Sequence, residues 1–170
     1  MSGHQDLEPS PWVVRWVTLI RPGGAVLDVA CGGGRHSRLL ARMGFEVDAV
    51  DRDASLFHDR PEEVRLLEAD IESGPWPYAG RRFDGIVVTN YLHRPLLATL
   101  VDSLEPGGVL LYETFAQGNE RFGKPANPAF LLAPEELLDA VRGRLDVLAY
   151  EDLVVDTPRP AAIQRICARA

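Results

Sequence analysis

The chain has 170 residues, 46% hydrophobic and 25% charged, with a formal net charge of -7. That length suits one α/β domain with a sheet covered on both faces, and the acidic balance disfavours a free-standing nucleic-acid binder, which needs a cationic footprint. The best apolar stretch, Trp12 to Ile20, is too short for a membrane span and is broken by Arg15. The first ten residues lack the basic and apolar blocks of a secretory signal, and two cysteines, Cys31 and Cys167, make no disulfide framework. A cytoplasmic protein without direct nucleic-acid or membrane partners is expected.

In chain order, Pro9 to Ile20 reads as a leading helix with Trp12, Trp16, Leu19 and Ile20 on one side, and residues 1–22 as that helix plus an N-terminal tail. Val26 to Ala30 is the first strand, apolar as a strand covered on both faces should be. Arg35 to Met43 is predicted as a helix burying Leu39, Leu40 and Met43, closed by Gly44. Glu46 to Asp51 is the second strand, Ala54 to Arg60 at most two helical turns, and Val64 to Ala69 the third strand. Glu72 to Arg82, rich in Gly and Pro, is loop. Phe83 to Thr89 is the fourth strand. Pro95 to Leu104 is a helix with Leu96, Leu97, Leu100, Val101 and Leu104 in one stripe.

Pro106, Gly107 and Gly108 are read as a turn into a fifth strand, Val109 to Phe115. Residues 116–133 form a long loop on the expected substrate side, suited to sealing a small substrate from water. Pro134 to Val141 is a helix with Pro at its first position. Leu145 to Val155 and Ala161 to Ala168 close the chain as two strands joined too tightly for a crossover, so they pair antiparallel. Strand and helix alternate from Val26 to Phe115, which implies a doubly wound, Rossmann-like, mostly parallel sheet in a single domain, residues 1–170.

The chemistry gathers at A-V-L-D-V-A-C-G-G-G, Ala25 to Gly34. A strand runs through an acid, Asp28, and breaks into glycines just before a helix; a second strand ends on Asp51. A Gly-rich turn lets a ligand lie against bare backbone and an acid takes ribose hydroxyls, so this is the front half of a nucleoside-binding fold. A nicotinamide-dependent oxidoreductase uses the same half, but Ser37 stands where its third glycine belongs. A non-catalytic scaffold that keeps the fold and acts through a partner protein is the other alternative.

With V-L-D-V-A-C-G-G-G, the acid Asp51, Ala69-Asp70-Ile71, Phe83-Asp84, Leu104 to Gly108 and the antiparallel finish, the chain resembles the class I S-adenosylmethionine-dependent methyltransferases. C-G-G-G-R-H-S and the compact middle are similar to small bacterial members of the tellurite-resistance type. The resemblance implies a seven-stranded sheet with an antiparallel last strand, S-adenosyl-L-methionine as cofactor, and transfer of a methyl group to an acceptor, expected to be a small molecule. It implies that Asp28 holds the methionine ammonium, Asp51 the ribose hydroxyls and Asp70 the adenine amino group, with Ile71 on the ring. Ala30, Gly32 and Gly34 bring backbone to the cofactor; Ala30 stands where the family has its first glycine.

Other candidates carry two readings each. Arg35 pairs with the methionine carboxylate or an acidic substrate, Arg52 flanks the adenine or is solvated, and His36 belongs to the site or to the helix surface. Cys31 near a helix N-terminus is a lowered-pKa thiol or simply a small residue that fits. The resemblance further implies, with no second reading, that Asn90 orients the methionine end and that Tyr91 lies along the reacting methyl. His93 is the general-base candidate, because histidine titrates near neutrality, or else a helix-start residue. N-Y-L-H is neither the Asn/Asp-Pro-Pro-aromatic motif of amino-group nucleobase methylation nor a Pro-Cys pair of the cytosine C5 type. Glu113 binds a cationic substrate or a proton, and Trp76 closes the adenine side or anchors its loop. The four histidines are scattered, so no metal site is expected.

Overall fold

The structure, a computed structural model, describes residues 8–170; the N-terminal tail and His4 lie outside the described residues. Seven strands form one sheet: β1 (Ala25–Val29), β2 (Glu46–Asp51), β3 (Val64–Glu68), β4 (Phe83–Thr89), β5 (Leu104–Phe115), β6 (Asp146–Val155) and β7 (Ala161–Arg169). Their order is β3-β2-β1-β4-β5-β7-β6. Neighbours from β3 to β5 pair parallel, whereas β7 is antiparallel to both β5 and β6. Among the described residues four short α-helices cover the sheet: α1 (Pro11–Trp16), α2 (Arg35–Arg42), α3 (Leu97–Asp102) and α4 (Glu136–Val141). No helix among the described residues is long and apolar enough to cross a membrane.

The pleat sorts the core into two halves. Val26 of β1 packs with Trp12, Val13, Val17 and Leu40 of the α1 and α2 side; Leu27 and Val29 pack with Leu100, Val101, Leu137 and Val141 of the α3 and α4 side. Central strands are therefore apolar at nearly every position, as the sequence pattern requires. The outermost strands, β3 and β6, keep Leu67, Val147, Leu148 and Val154 exposed.

Several boundaries differ from expectation, each for a local reason. The leading helix stops at Trp16, and Val17–Leu19 tightens into a 3-10 turn. α2 turns His36, Ser37 and Leu40 inward and leaves Met43 40% exposed, because its first turn packs on polar groups at the sheet edge. The turn expected at Pro106 to Gly108 lies inside β5, which pairs Phe83 with Leu104, shifts register, and resumes at Gly85 with Val109. There Ala170 exchanges backbone hydrogen bonds with Gly107 and Gly108. Pro134 precedes α4 rather than opening it. Glu135, at φ 62, is its N-cap, and the Glu136 carboxylate accepts the Ala133 amide at 2.9 Å.

Gly34 shows why the loop between β1 and α2 carries glycine. Its φ is 82, and a Cβ built there would sit 2.1 Å from Cε2 of the buried Phe57 ring. Backbone strain and overpacking then act together, so Gly34→Ala is expected to cost about 2–4 kcal/mol. Urea denaturation checks this as a lower midpoint at unchanged slope.

Candidate functional site

Parallel strands deliver their following loops to one edge of a sheet. Here that edge gathers residues 30–34 after β1, 51–54 after β2, 70–73 beyond β3, 90–93 after β4 and 116–133 after β5. The first loop is tied down by its own backbone: Cys31 N–H donates to the Val50 carbonyl at 3.0 Å and Gly34 N–H to that of Cys31 at 2.9 Å. Ala30 adopts φ 53, a left-handed conformation that costs a non-glycine residue about 1 kcal/mol. Gly32, at φ 52, has no atom within 4 Å of the position a Cβ would take, so its backbone borders open space. Asp51 accepts the Gly32 amide on Oδ2 and the Asp53 amide on Oδ1, both at 2.9 Å.

Asp28 is 2% exposed, and its side-chain partner is Ser37, whose hydroxyl donates at 2.7 Å. Burial outweighs that bond and pushes the carboxyl up to about 7. Burial and the two nearby carboxylates also push up the Cys31 thiol, which therefore stays a thiol; the lowered-pKa reading is overturned. His36 faces inward rather than lying on the helix surface. The Ser10 amide donates to its Nε2 at 2.9 Å, so the neutral ring carries its proton on Nδ1, 3.4 Å from Thr89 Oγ1. Burial holds it neutral, with a pKa down to about 3. Arg35 donates to the Glu8 carbonyl at 3.0 Å, and burial lowers its pKa.

Asp70 caps its own turn, with Oδ1 accepting the Glu72 amide at 2.9 Å and the Ser73 amide at 3.1 Å. Those bonds hold its carboxyl below the usual range. Ile71 is half-buried against the core, while Arg52 is exposed. Trp76 meets Tyr78 edge-on at 5.4 Å, and Tyr78 meets Phe83 at 5.6 Å, so Trp76 anchors its loop.

Beyond β4, Asn90 is exposed at φ 54 and donates its amide to the Glu113 carbonyl at 2.9 Å. Tyr112 donates its hydroxyl to the Tyr91 carbonyl at 2.7 Å, and Leu92 is buried. The Tyr91 hydroxyl donates to Glu72 Oε2 at 2.9 Å, and His93 Nδ1 lies 3.4 Å from Glu72 Oε1. Burial, reinforced by Glu72, raises the Tyr91 phenol and keeps it protonated. Sequence reasoning passed over Glu72 as loop; its signal was its place two residues after Asp70, inside the turn that Asp70 caps.

Glu113 is already matched. It accepts the Ser10 hydroxyl at 2.8 Å and faces Arg165 at 3.3 Å, which also binds Glu151 at 2.6 Å. The expectation that Glu113 awaits a cationic ligand is replaced by this internal pair. The loop at 116–133 holds two 3-10 turns and is pinned at its base. Asn119 accepts the Ala162 amide at 3.1 Å, and Arg94 donates to the Leu131 carbonyl at 2.8 Å while pairing with Glu136 at 2.7 Å. Phe122 and Phe130 stay 42% and 51% exposed. Ser10, just before Pro11, carries the local signal of a helix N-cap, and its Oγ accepts the Trp12 amide at 3.2 Å, but nothing local marks its bond to Glu113 or the partners of Arg94.

A family model described as a methyltransferase domain matches residues 26–108. The chain is 30% identical over 159 residues to a protein-L-isoaspartate O-methyltransferase of Xanthomonas euvesicatoria pv. vesicatoria (strain 85-10), covering 85% of this chain and 70% of that one. The chain belongs to the class I S-adenosylmethionine-dependent methyltransferases. Its span is 52% of the length of a Xanthomonas campestris relative of the same name (strain B100), 34% identical over 118 residues. The fold of this methyltransferase superimposes on TehB from Haemophilus influenzae with a TM-score of 0.77 at 21% identity, covering 92% of this chain and 60% of that one. A methyltransferase from Mesorhizobium loti matches at 0.73 and 16%, covering 95% and 99%. The cofactor of the methyltransferase is S-adenosyl-L-methionine, and the edge fits it: open backbone at Gly32, a carboxylate at Asp51, and, in the loops after β2 and β3, Asp51, Asp53, Asp70 and Glu72 against Arg52 for a cationic sulfonium.

Asp28 gives the methyltransferase a measurable pH dependence. Its folded pKa of about 7 lies above the ordinary 3.8, so the folded state binds the extra proton between those values. That stabilisation is complete below about pH 4 and is lost as pH rises through about 7. Asp28→Asn cannot ionise and keeps an acceptor for Ser37. Its stability relative to wild type is expected to rise by about 2–4 kcal/mol from pH 4 to pH 8, read from urea midpoints at each pH.

Proposed function

We propose that the methyltransferase transfers its methyl group to a small-molecule acceptor at the edge where the loops after β1 to β5 meet. The observation that carries this reading is Asp51 holding the Gly32 amide beside open backbone, which puts a carboxylate and a bare peptide side by side. In this reading Asp51 accepts the ribose hydroxyls, Asp70 the adenine amino group with Ile71 on the ring and Arg52 beside it, and Asp28 the methionine ammonium. Ala30, Gly32 and Gly34 line the cofactor with backbone, Arg35 meets the methionine carboxylate, and Asn90 orients that end. Tyr91 borders the reacting methyl and His93 is the base.

When bound, the cofactor supplies a methyl group on a good leaving group, so the protein's work is to position the acceptor and exclude water. The pinned loop at 116–133 supports a small acceptor, since its base is held while Phe122 and Phe130 remain available to cover one. Free cysteines, both buried, suit a reducing compartment such as the cytoplasm. The oxidoreductase alternative is disfavoured by Ser37, which fills the third-glycine place and is spent on Asp28, and by β7 running antiparallel between β5 and β6.

Titration calorimetry with S-adenosylhomocysteine and with NAD tests this. S-adenosylhomocysteine is expected to bind, and Asp51→Ala to weaken it about ten- to a hundredfold, the loss of hydrogen bonds to a charged group. Binding of NAD alone would sink the reading, and an unchanged affinity in Asp51→Ala would remove the ribose assignment.

A further inference from the structure

Two loops far apart in sequence present one carboxylate to two side chains. Glu72 comes from the turn after β3, where Asp70 accepts its amide at 2.9 Å. Tyr91 and His93 come from the segment after β4. That segment is held at the Asn90 amide by Glu113, at the Tyr91 carbonyl by Tyr112, and through buried Leu92. Next to His93, Arg94 is committed to Glu136 and to the loop carbonyls of Ala129 and Leu131. Both loops are therefore held at the backbone, and the two side chains meet at the surface, His93 25% and Glu72 49% exposed.

Glu72 Oε2 takes the Tyr91 hydroxyl, and Oε1 stands 3.4 Å from His93 Nδ1. A carboxylate only accepts, so the ring nitrogen facing it is the one that carries hydrogen, and the lone pair is left on Nε2. A separation of 3.4 Å is long for a hydrogen bond; such contacts commonly tighten when substrate closes a site. Tyr91, donating to the same carboxylate, is kept protonated and does not compete for a proton.

We infer that Glu72 is a positioning residue that fixes His93 as an Nε2 proton acceptor, and that the acceptor substrate is accordingly a hydroxyl compound, an alcohol or phenol, rather than a thiol. The inference rests on the methyltransferase reading above. A thiol, with a pKa of about 8.5, offers some thiolate at neutral pH and needs little beyond a shaped pocket, whereas a phenol or alcohol offers far less anion and arrives protonated. In the step, the substrate O–H gives its proton to Nε2 as its oxygen bonds the methyl carbon. The electron pair of the methyl–sulfur bond stays on sulfur, leaving a neutral thioether and a methyl ether.

The tautomer can be read without turnover, by long-range 1H–15N correlation of histidine-labelled protein loaded with S-adenosylhomocysteine, with His93→Gln assigning the signal. Wild type is expected to show His93 protonated on Nδ1. Glu72→Ala should shift it towards the Nε2–H form, and Glu72→Gln, whose carbonyl still accepts, should restore it. With a panel of phenols, alcohols and thiols, Glu72→Ala and His93→Gln should each lower kcat for hydroxyl acceptors about a hundredfold with little change in KM.

A wild-type His93 protonated on Nε2, a tautomer indifferent to Glu72→Ala, or methylation of thiols alone overturns the inference while leaving the cofactor reading intact. If wild type binds no S-adenosylhomocysteine in calorimetry, the methyltransferase reading fails and takes this inference with it.

Discussion

β1 is paired parallel with β2 on one side and β4 on the other, and that pairing commits the loops after all three to the same edge of the sheet. β3 and β5 extend the same direction outward. Residues separated by about twenty positions, such as Gly32 and Asp51 or Glu72 and His93, become neighbours because their strands end together. Everything at the site follows from this direction of travel. The helices contribute by keeping the strands buried, and their shortness leaves the loops to supply most of the polar groups.

Those loops bend sharply, and a bent backbone exposes amides that need acceptors. In this chain acids close to the turn provide them. Asp51 takes the amides of Gly32 and Asp53, Asp70 those of Glu72 and Ser73, and Asp53 that of Ser55. The carboxylates that shape the loops thus also give the edge its negative character. A cation suits such a surface, and a second anion would not. Asp28 stands apart, buried so deeply that its charge is costly, and a cation beside it would relieve that cost.

The strands and Asp51, Asp70 and the glycines were legible in sequence because each rests on a local pattern: an apolar run, an acid at its end, a turn residue after it. The antiparallel pairing of the last two strands was legible because the connection between them is too short for a crossover. Glu72, Ser10, Arg94 and Phe57 were not. Their importance comes from side chains that meet across tens of residues, and nothing nearby in sequence marks those meetings. α2 misled for a related reason: apolar spacing pointed to Met43, while the sheet edge drew His36 and Ser37 inward through partners in distant segments. The start of α4 shifted because Glu135 takes a left-handed conformation that favours glycine and that Pro134 does not signal.

β7 lies between β5 and β6 yet follows both in the chain. During synthesis β6 emerges with no strand to join, and its row of backbone groups waits until residues 161–169 have been made. The β5 edge is therefore closed by the insertion of β7, which carries its hairpin partner β6 with it. Until that insertion two strand edges stand open at once, and this interval is when the chain is most exposed to pairing with another copy of itself.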